Sequence, residues 1–268
     1  MPYDYDLDCD AADCLLIGTG EDAQPPMRWD PALHIPRDSL FQAYEGIRYA
    51  NYLGSIFNVA ITINWQCEGY ESPASIDRAY RMFMDRYKKF CSHRNEIAFY
   101  WTVFERGETV GLHSHSGIAL PWWHRNQFRS WFVHSLVNFD GRPFERASYS
   151  VRIRSGTPII SQWKWFRYCF KSVDPTMSAT EKRRFGEAAT VSQIAGLAYQ
   201  PGGFVPFKRV RLCRAFGSAA RRKAGYASES IGRVPQEHRY GDDEYRRGLQ
   251  DRQNAELRSV LLKLEVLV

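Results

Sequence analysis

Two histidines and an upstream glutamate form the most distinctive chemical pattern of the sequence. Glu105 is followed, after seven residues, by His113, Ser114 and His115. Alternate side chains of a β-strand share a face, so the two histidines would lie about 7 Å apart on one side. A preceding strand, paired across a turn, can bring Glu105 to that side. Two imidazoles and a carboxylate suit a divalent metal ion with open positions, and two histidines hydrogen-bonded on a polar sheet face are the alternative.

A second pattern, Tyr168 followed three residues later by Lys171, lies in the segment SQWKWFRYCFKSVDP. Residues three apart in a helix project from the same side. Lys164, Arg167 and Lys171 flank the tyrosine, and such a cationic setting favours the phenolate and attracts phosphate. Tyr168 is therefore a candidate covalent nucleophile. The chain has 15 tyrosines, however, and a packing role in the core or at an interface is the alternative.

The elements that must position these residues follow a regular order. Hydrophobic alternation predicts strands over 58–65, 96–105, 111–120 and 147–153. Helical spacing predicts helices from about 38 onward, then over 73–93, 122–139, 159–172, 215–224 and 242–265. This order predicts an α+β fold of the split βαβ (ferredoxin-like or RRM-like) type, an antiparallel sheet with helices on one face, and a basic C-terminal extension beyond it. The histidines fall on the central hairpin and the tyrosine on the helix after the last strand.

Charge is distributed unevenly along the chain. Residues 1–150 contain 14 Lys/Arg and 19 Asp/Glu, a balance of −5, and residues 151–268 contain 22 and 11, a balance of +11, which together give the net charge of +6. A basic half suits a polyanion such as nucleic acid, and a solvated charged surface is the alternative. The cations that could contact a DNA backbone are Arg152, Arg154, Lys164, Arg167, Lys208, Arg209, Arg211, Arg221, Arg222 and Lys223. The tryptophans that could stack on bases, or pack in the core, are Trp122, Trp123, Trp163 and Trp165.

Composition sets the broad class of protein. With 44% hydrophobic and 15% aromatic residues over 268 positions, the chain can bury a sizeable core, which excludes a disordered or small disulfide-rich class. The sequence has no run of 18 apolar residues, and its acidic N-terminus lacks the features of a signal peptide. Its six cysteines show no CxxC spacing, which indicates reduced thiols. We therefore expect a cytoplasmic protein that does not engage a membrane.

Taken together, these motifs resemble the HUH endonucleases, which comprise rolling-circle replication initiators, conjugative relaxases and related single-strand transposases. The segment VFERGETVGLHSHSGIALP resembles the metal-binding hairpin of that family, WFRYCFKSVDP its nucleophile helix, and NVAITINW its first core strand. The strongest likeness is to bacterial plasmid and filamentous-phage initiators with a single tyrosine, which have a basic segment similar to KRVRLCRAFGSAARRKAG. The resemblance covers roughly residues 50–226. One departure is Ser114, since the family usually has a hydrophobic residue between the histidines.

The resemblance implies a metal-dependent DNA endonuclease and strand transferase. Glu105, His113 and His115 would hold Mg²⁺ or Mn²⁺. Tyr168 would attack the scissile phosphate, and Lys171 would steady the phosphate or the phenolate. The products would be a 5′-phosphotyrosine adduct and a free 3′-OH that initiates rolling-circle replication at single-stranded or hairpin origin DNA. The alternatives are a relaxase or transposase of the same family and a non-catalytic nucleic-acid-binding module on the same fold.

The sequence also suggests a division into three parts. We predict an acidic, loosely ordered segment over 1–36, an HUH-like nuclease domain over 37–226 and a helical tail over 227–268. The apolar stripe of the tail helix predicts docking on the body of the protein, with a contact in a homo-oligomer as the alternative.

Overall fold

The computed structural model describes residues 32–154, 158–177, 179–226, 235, 240 and 244–265, with side chains as far as 258. Most of the predicted 1–36 segment, and much of 227–243, lie outside this part of the chain. The helices are α1 Arg37–Tyr52, α2 Pro73–Ser92, α3 Arg125–Ser135, α4 Pro158–Cys169, α5 Ala179–Phe185, α6 Val191–Ile194, α7 Ser218–Lys223 and α8 Glu244–Glu265. The strands are β1 Val59–Asn64, β2 Tyr100–Gly107, β3 Gly111–Ile118, β4 Tyr149–Ile153 and β5 Val210–Leu212.

The five strands form one antiparallel sheet in the order β4-β1-β3-β2-β5. Strand β3 lies between β1 and β2, because the connection through α2 carries the chain past the position that β3 later fills. This is the split βαβ arrangement. The predicted α+β class with an antiparallel sheet is confirmed. The short strand β5 extends the sheet beyond β2.

One face of the sheet packs against α2 and α3. Ile63 of β1 lies on this face and is 1% exposed. The ring of Tyr80 on α2 lies 5.1 Å from that of Phe104, and the ring of Phe132 on α3 lies 5.4 Å from that of Tyr149. Such apolar burial supplies most of the driving force for folding. The predicted packing of these two helices on one face is confirmed.

The opposite face is partly covered by α4, so the expectation that the helices lie on one face only is corrected. Trp101 of β2 is fully buried there, and its ring lies 6.3 Å from Phe166 and 5.8 Å from Phe170. Gly117 is its register partner, and a Cβ at this glycine would come within 2.4 Å of the indole. The missing side chain makes room for the indole, and α4 buries its own apolar side over the pair. The hairpin end of this face carries the histidines.

The C-terminal helix α8 docks on α1. The carboxylate of Glu244 pairs with the buried guanidinium of Arg48, and the Tyr52 hydroxyl donates to Asp251 at 2.9 Å. A Cβ at Gly248 would come within 1.9 Å of the carbonyl oxygen of Tyr52, so the two helices approach closely at that point. Within the described ranges, none of the helices is long and apolar enough to cross a membrane.

Candidate metal centre

Glu105, His113 and His115 converge on one face of the β2–β3 hairpin. Glu105 is the register partner of His113 across the hairpin, and His115 lies two residues further along β3, so all three share a face. The Glu105 Oε2 atom lies 3.7 Å from His113 Nε2 and 3.6 Å from His115 Nε2. One ligand atom from each residue falls within 4.8 Å of the others. The triad can therefore hold a metal ion.

Hydrogen bonds on the far side of each ring orient the two imidazoles. The Nδ1 atom of His113 donates to the carbonyl oxygen of Gly111 at 2.9 Å, since a carbonyl only accepts. The Nδ1 atom of His115 lies 2.9 Å from the hydroxyl oxygen of Thr62, its register partner on β1. Both Nε2 atoms are thereby directed at the carboxylate of Glu105. Partners of this kind fix ring orientation at metal sites.

The charges of the triad are set by burial and by close neighbours. Burial opposes ionisation of Glu105, which is 3% exposed. The nearby imidazoles of His113 and His115 and the ammonium of Lys171 outweigh burial and lower the pKa of Glu105 to about 2. Burial lowers the pKa of His115 below its usual value. At neutral pH the site therefore offers a carboxylate and a neutral imidazole, the forms that bind a metal.

Two buried atoms of the triad show that the site suits a cation. Glu105 Oε1 and His115 Nε2 are buried, and among the described residues neither atom has a hydrogen-bond partner. Leaving a buried polar atom unsatisfied costs about 1–3 kcal/mol. A divalent cation would satisfy both atoms, and a set of two nitrogens and one oxygen is a recognised ligand set for such ions. The residues present therefore fit a divalent metal ion.

Tyr168 in the last turn of α4 and Lys171 in the turn that follows the helix both reach the triad, although the sequence predicts a helix that includes Lys171. Lys171 Nζ lies 3.4 Å from Glu105 Oε2 and 4.2 Å from the centre of the Tyr168 ring. The Tyr168 ring lies 5.3 Å from that of His115, edge to face. Tyr168 is 48% exposed, although its ring contacts the buried histidine. The structure thus brings the two sequence patterns into one site, with the tyrosine open to solvent.

Trp165 and Thr62 support the site and were not identified as support from the sequence. The indole of Trp165 stacks on Tyr168, with centroids 5.3 Å apart and planes at 13°. Its Nε1 atom donates to the carbonyl oxygen of Ser116 at 3.1 Å, which ties α4 to β3. The sequence predicts for Trp165 only that it stacks on bases or packs in the core. No sequence signal identifies Thr62, because its contact with His115 depends on strand pairing.

Ser114, between the two histidines, lies on the face opposite the triad. It is 1% exposed, and its hydroxyl accepts a hydrogen bond from Trp65 Nε1 at 3.0 Å. A hydrophobic residue here would leave the buried indole N–H of Trp65 without this acceptor. The serine therefore supplies a hydrogen-bond acceptor for Trp65 on the face opposite the triad. It leaves the three candidate ligands unchanged.

The ten cations predicted to contact DNA differ in their exposure. Six are exposed: Arg152, Arg154, Lys164, Lys208, Arg222 and Lys223. Arg152 lies on the triad's face of the sheet, because it pairs with Ala60, which pairs with Gly117. Lys164 lies one turn before Tyr168 on the same side of α4. Arg167 is half-buried, with its guanidinium 5.9 Å from the ring centre of Tyr240.

Three further arginines have partners within the protein, and the burial of Arg209 and Arg221 corrects the assignment of these two to DNA. Arg209 is buried and donates to backbone carbonyls of Ala32, Gly202 and Gly203. Arg221 is buried and donates to the carbonyl of Phe216 and to Gln42, each at 2.8 Å. Arg211 pairs with Asp77 at 2.6 Å. Trp163 is likewise a core residue, and its ring packs 5.4 Å from that of Tyr44.

The comparisons with known proteins add no relative. No protein-family model, curated protein or solved structure matches the chain. The function is therefore inferred from the side chains of the metal centre and from the helix that covers it.

Replacing Thr62 by valine tests the orientation of His115. Thr62→Val keeps the branched shape and removes the hydroxyl that holds Nδ1. We expect the Kd for Mn²⁺ to rise about 10–100-fold, the usual effect of losing such a partner. Isothermal titration calorimetry measures it. Ser150→Ala is the matched control, because Ser150 is the exposed register partner of Thr62 on β4. Equal affinities in wild type and Thr62→Val would contradict the role of Thr62.

Proposed function

We propose that the protein nicks single-stranded DNA and transfers the broken strand through a covalent phosphotyrosine, thereby initiating rolling-circle replication. The observation that carries the proposal is the position of Tyr168. Its ring contacts His115 of the triad, and the ammonium of Lys171 lies between this ring and the carboxylate of Glu105. A half-exposed nucleophile held beside potential metal ligands suits a metal-assisted attack on a phosphate.

The ion would be held by Glu105, His113 and His115. We propose Mn²⁺ or Mg²⁺, and the two imidazole donors favour Mn²⁺, because Mg²⁺ prefers oxygen ligands. When bound, such an ion polarises a phosphoryl oxygen as a Lewis acid. The remaining chemistry belongs to side chains of this chain.

Tyr168 supplies the nucleophile. Its phenol loses a proton to solvent, to which the side chain is open, and the ammonium of Lys171 stabilises the phenolate. The phenolate oxygen bonds to phosphorus as the bond from phosphorus to the 3′ oxygen breaks, and that oxygen takes up a proton. The 5′ end stays esterified to the protein, and the 3′-OH is free to prime synthesis. One phosphodiester bond replaces another, so rejoining the DNA strand needs no nucleoside triphosphate.

The exposed cations around the site suit a single strand. Arg152 lies on the same face of the sheet as the triad, and Lys164 lies one turn before Tyr168 on α4, so both could contact the phosphates of a strand at the site. Phosphate contacts position a strand without reading its sequence. The DNA would be a single-stranded or hairpin origin in the cytoplasm.

Removing the ammonium of Lys171 separates its role from that of the ligands. For Lys171→Met we expect the nicking rate at saturating DNA to fall about 10²–10³-fold, because a preorganised charge beside the nucleophile is lost. Mn²⁺ affinity should not weaken, since Lys171 is not a ligand. In the matched control Lys164→Met, DNA affinity should fall while the saturated rate stays unchanged. An unchanged saturated rate in Lys171→Met would contradict the role given to Lys171.

The proposal is tested with a random-sequence single-strand pool labelled at both ends. With Mn²⁺ we expect the 3′-labelled fragment to migrate with the protein on a denaturing gel. The 5′-labelled fragment should be free and extendable by a polymerase. EDTA should prevent both results. If the protein binds the pool and forms no adduct with Mn²⁺ or Mg²⁺, the proposal is wrong and a non-catalytic binding module is favoured.

A further inference from the structure

A groove at the far end of the sheet has no part in the proposed step. It has a volume of about 950 Å³ and lies where β1 begins and where β3 and β4 end. Ala119 lines it and is six residues beyond His113 along the extended chain. At about 3.3 Å per residue, the groove therefore lies roughly 20 Å from the metal centre. It is a separate place on the protein.

Two tryptophans stand exposed on the rim of this groove. Trp122 is 69% exposed and Trp123 is 59% exposed. Large aromatic side chains rarely remain so exposed unless the surface binds something. The chain just before them is held in place, because the Asn58 side chain donates to the carbonyl of Leu120 at 2.8 Å and accepts from its N–H at 3.0 Å. The rings are thus presented on a fixed support and are free to bind.

The charge of the groove is positive. Arg125, Arg129 and Arg154 line it and are exposed. Within the part of the chain that is described, no carboxylate forms an ion pair with any of them. The acidic lining residue Glu96 lies 3.4 Å from His124. Exposed aromatic rings beside unpaired arginines match a ligand with flat faces and regular negative charge.

We propose that this groove binds a segment of single-stranded DNA at a distance from the scissile phosphate. Trp122 and Trp123 stack on unpaired bases, and the three arginines contact the phosphates. A duplex hides its base faces, so the tryptophans select single strands. The choice of DNA rests on the proposed function, whereas the ligand chemistry follows from the groove itself. The groove would hold the strand so that its scissile bond reaches Tyr168.

Fluorescence anisotropy with labelled oligo-dT in EDTA tests the groove directly. We expect the Kd of Trp122→Ala/Trp123→Ala to rise about tenfold or more, because stacking contacts are lost. Trp122→Phe/Trp123→Phe should keep most of the affinity, since phenyl rings still stack. Phe139→Ala removes an aromatic ring that is 40% exposed beyond the other end of α3, and should bind like wild type.

The arginines provide a second, independent test. Arg125→Gln/Arg129→Gln should weaken oligo-dT binding and make it less dependent on salt, because fewer counterions are released. Arg142→Gln is the matched control, because Arg142 is exposed beyond the C-terminal end of α3. Unchanged affinity in both the tryptophan and arginine variants would overturn the proposal. So would equal competition by polyglutamate and oligo-dT against wild type, since the groove would then recognise charge alone.

The outcome is separable from that of the proposed nicking activity. Binding in EDTA requires neither the metal nor Tyr168, so it can succeed when nicking fails. If nicking is real and the groove acts as proposed, the tryptophan variant should raise the KM for DNA and leave kcat unchanged. If the tryptophan variant nicks with an unchanged KM and binds oligo-dT normally, the groove does not bind the DNA strand. The proposed nicking activity would still stand.

Discussion

Tyr168→Phe is expected to lower the rate of adduct formation by about 10⁴-fold or more, the scale seen when a nucleophile is removed. The change deletes one oxygen and keeps the ring that stacks on Trp165 and contacts His115. Folding, Mn²⁺ affinity and affinity for single strands should therefore match wild type. Single-turnover nicking of a selected substrate, followed on denaturing gels, measures the rate.

Tyr199→Phe is the matched control for this prediction. Tyr199 is 36% exposed and its hydroxyl lies 2.9 Å from His34 Nε2, so its loss removes a tyrosine oxygen from another site. We expect this variant to nick at the wild-type rate. If Tyr168→Phe formed the adduct at the normal rate, another tyrosine would be the nucleophile. The proposal that α4 presents the nucleophile would then be wrong.

His113→Ala is expected to raise the Kd for Mn²⁺ by at least about 100-fold and to abolish nicking, because a direct ligand should matter more than a supporting partner. Thermal unfolding provides a second readout. An ion that binds the folded state at 100 times its Kd stabilises it by about 2.7 kcal/mol. Wild type should show this shift in Tm on adding Mn²⁺, and His113→Ala should not.

The control for the metal prediction is a histidine on α3, which packs on the face of the sheet opposite the triad. His134→Ala changes an exposed residue in the last turn of α3 and should keep both the Tm shift and the Mn²⁺ affinity. A wild-type protein that gains no stability from Mn²⁺ or Mg²⁺ would contradict the assignment of the triad. So would equal ion affinities in wild type and His113→Ala.

The sheet could be predicted because its strands alternate clearly and its helices have apolar stripes. The burial of β1 alternates along its length, as its sequence indicates. The face on which α4 packs could not be predicted in the same way. The apolar stripe of α4 shows which side of the helix is buried. The place where the helix docks depends on the space that Gly117 leaves for Trp101.

The triad was predictable because its members lie on adjacent strands joined by a short turn, which fixes their register. Thr62 and Trp165 were not, because each lies about fifty residues from its partner in the site. The arginines show a similar limit. Arg209 and Arg221 resemble the exposed cations in sequence, yet each is buried and donates to the backbone of the protein.

Mass spectrometry of the trapped adduct, after nuclease and trypsin digestion, tests most directly whether Tyr168 forms the covalent bond to DNA. Cleavage after Arg167 and Lys171 releases the peptide Tyr-Cys-Phe-Lys, in which Tyr168 is the single tyrosine. We expect a nucleotide attached through phosphate to Tyr168 in this peptide, and only when Mn²⁺ or Mg²⁺ was present. A nucleotide on any other peptide, or single strands bound without any covalent product, would contradict the account.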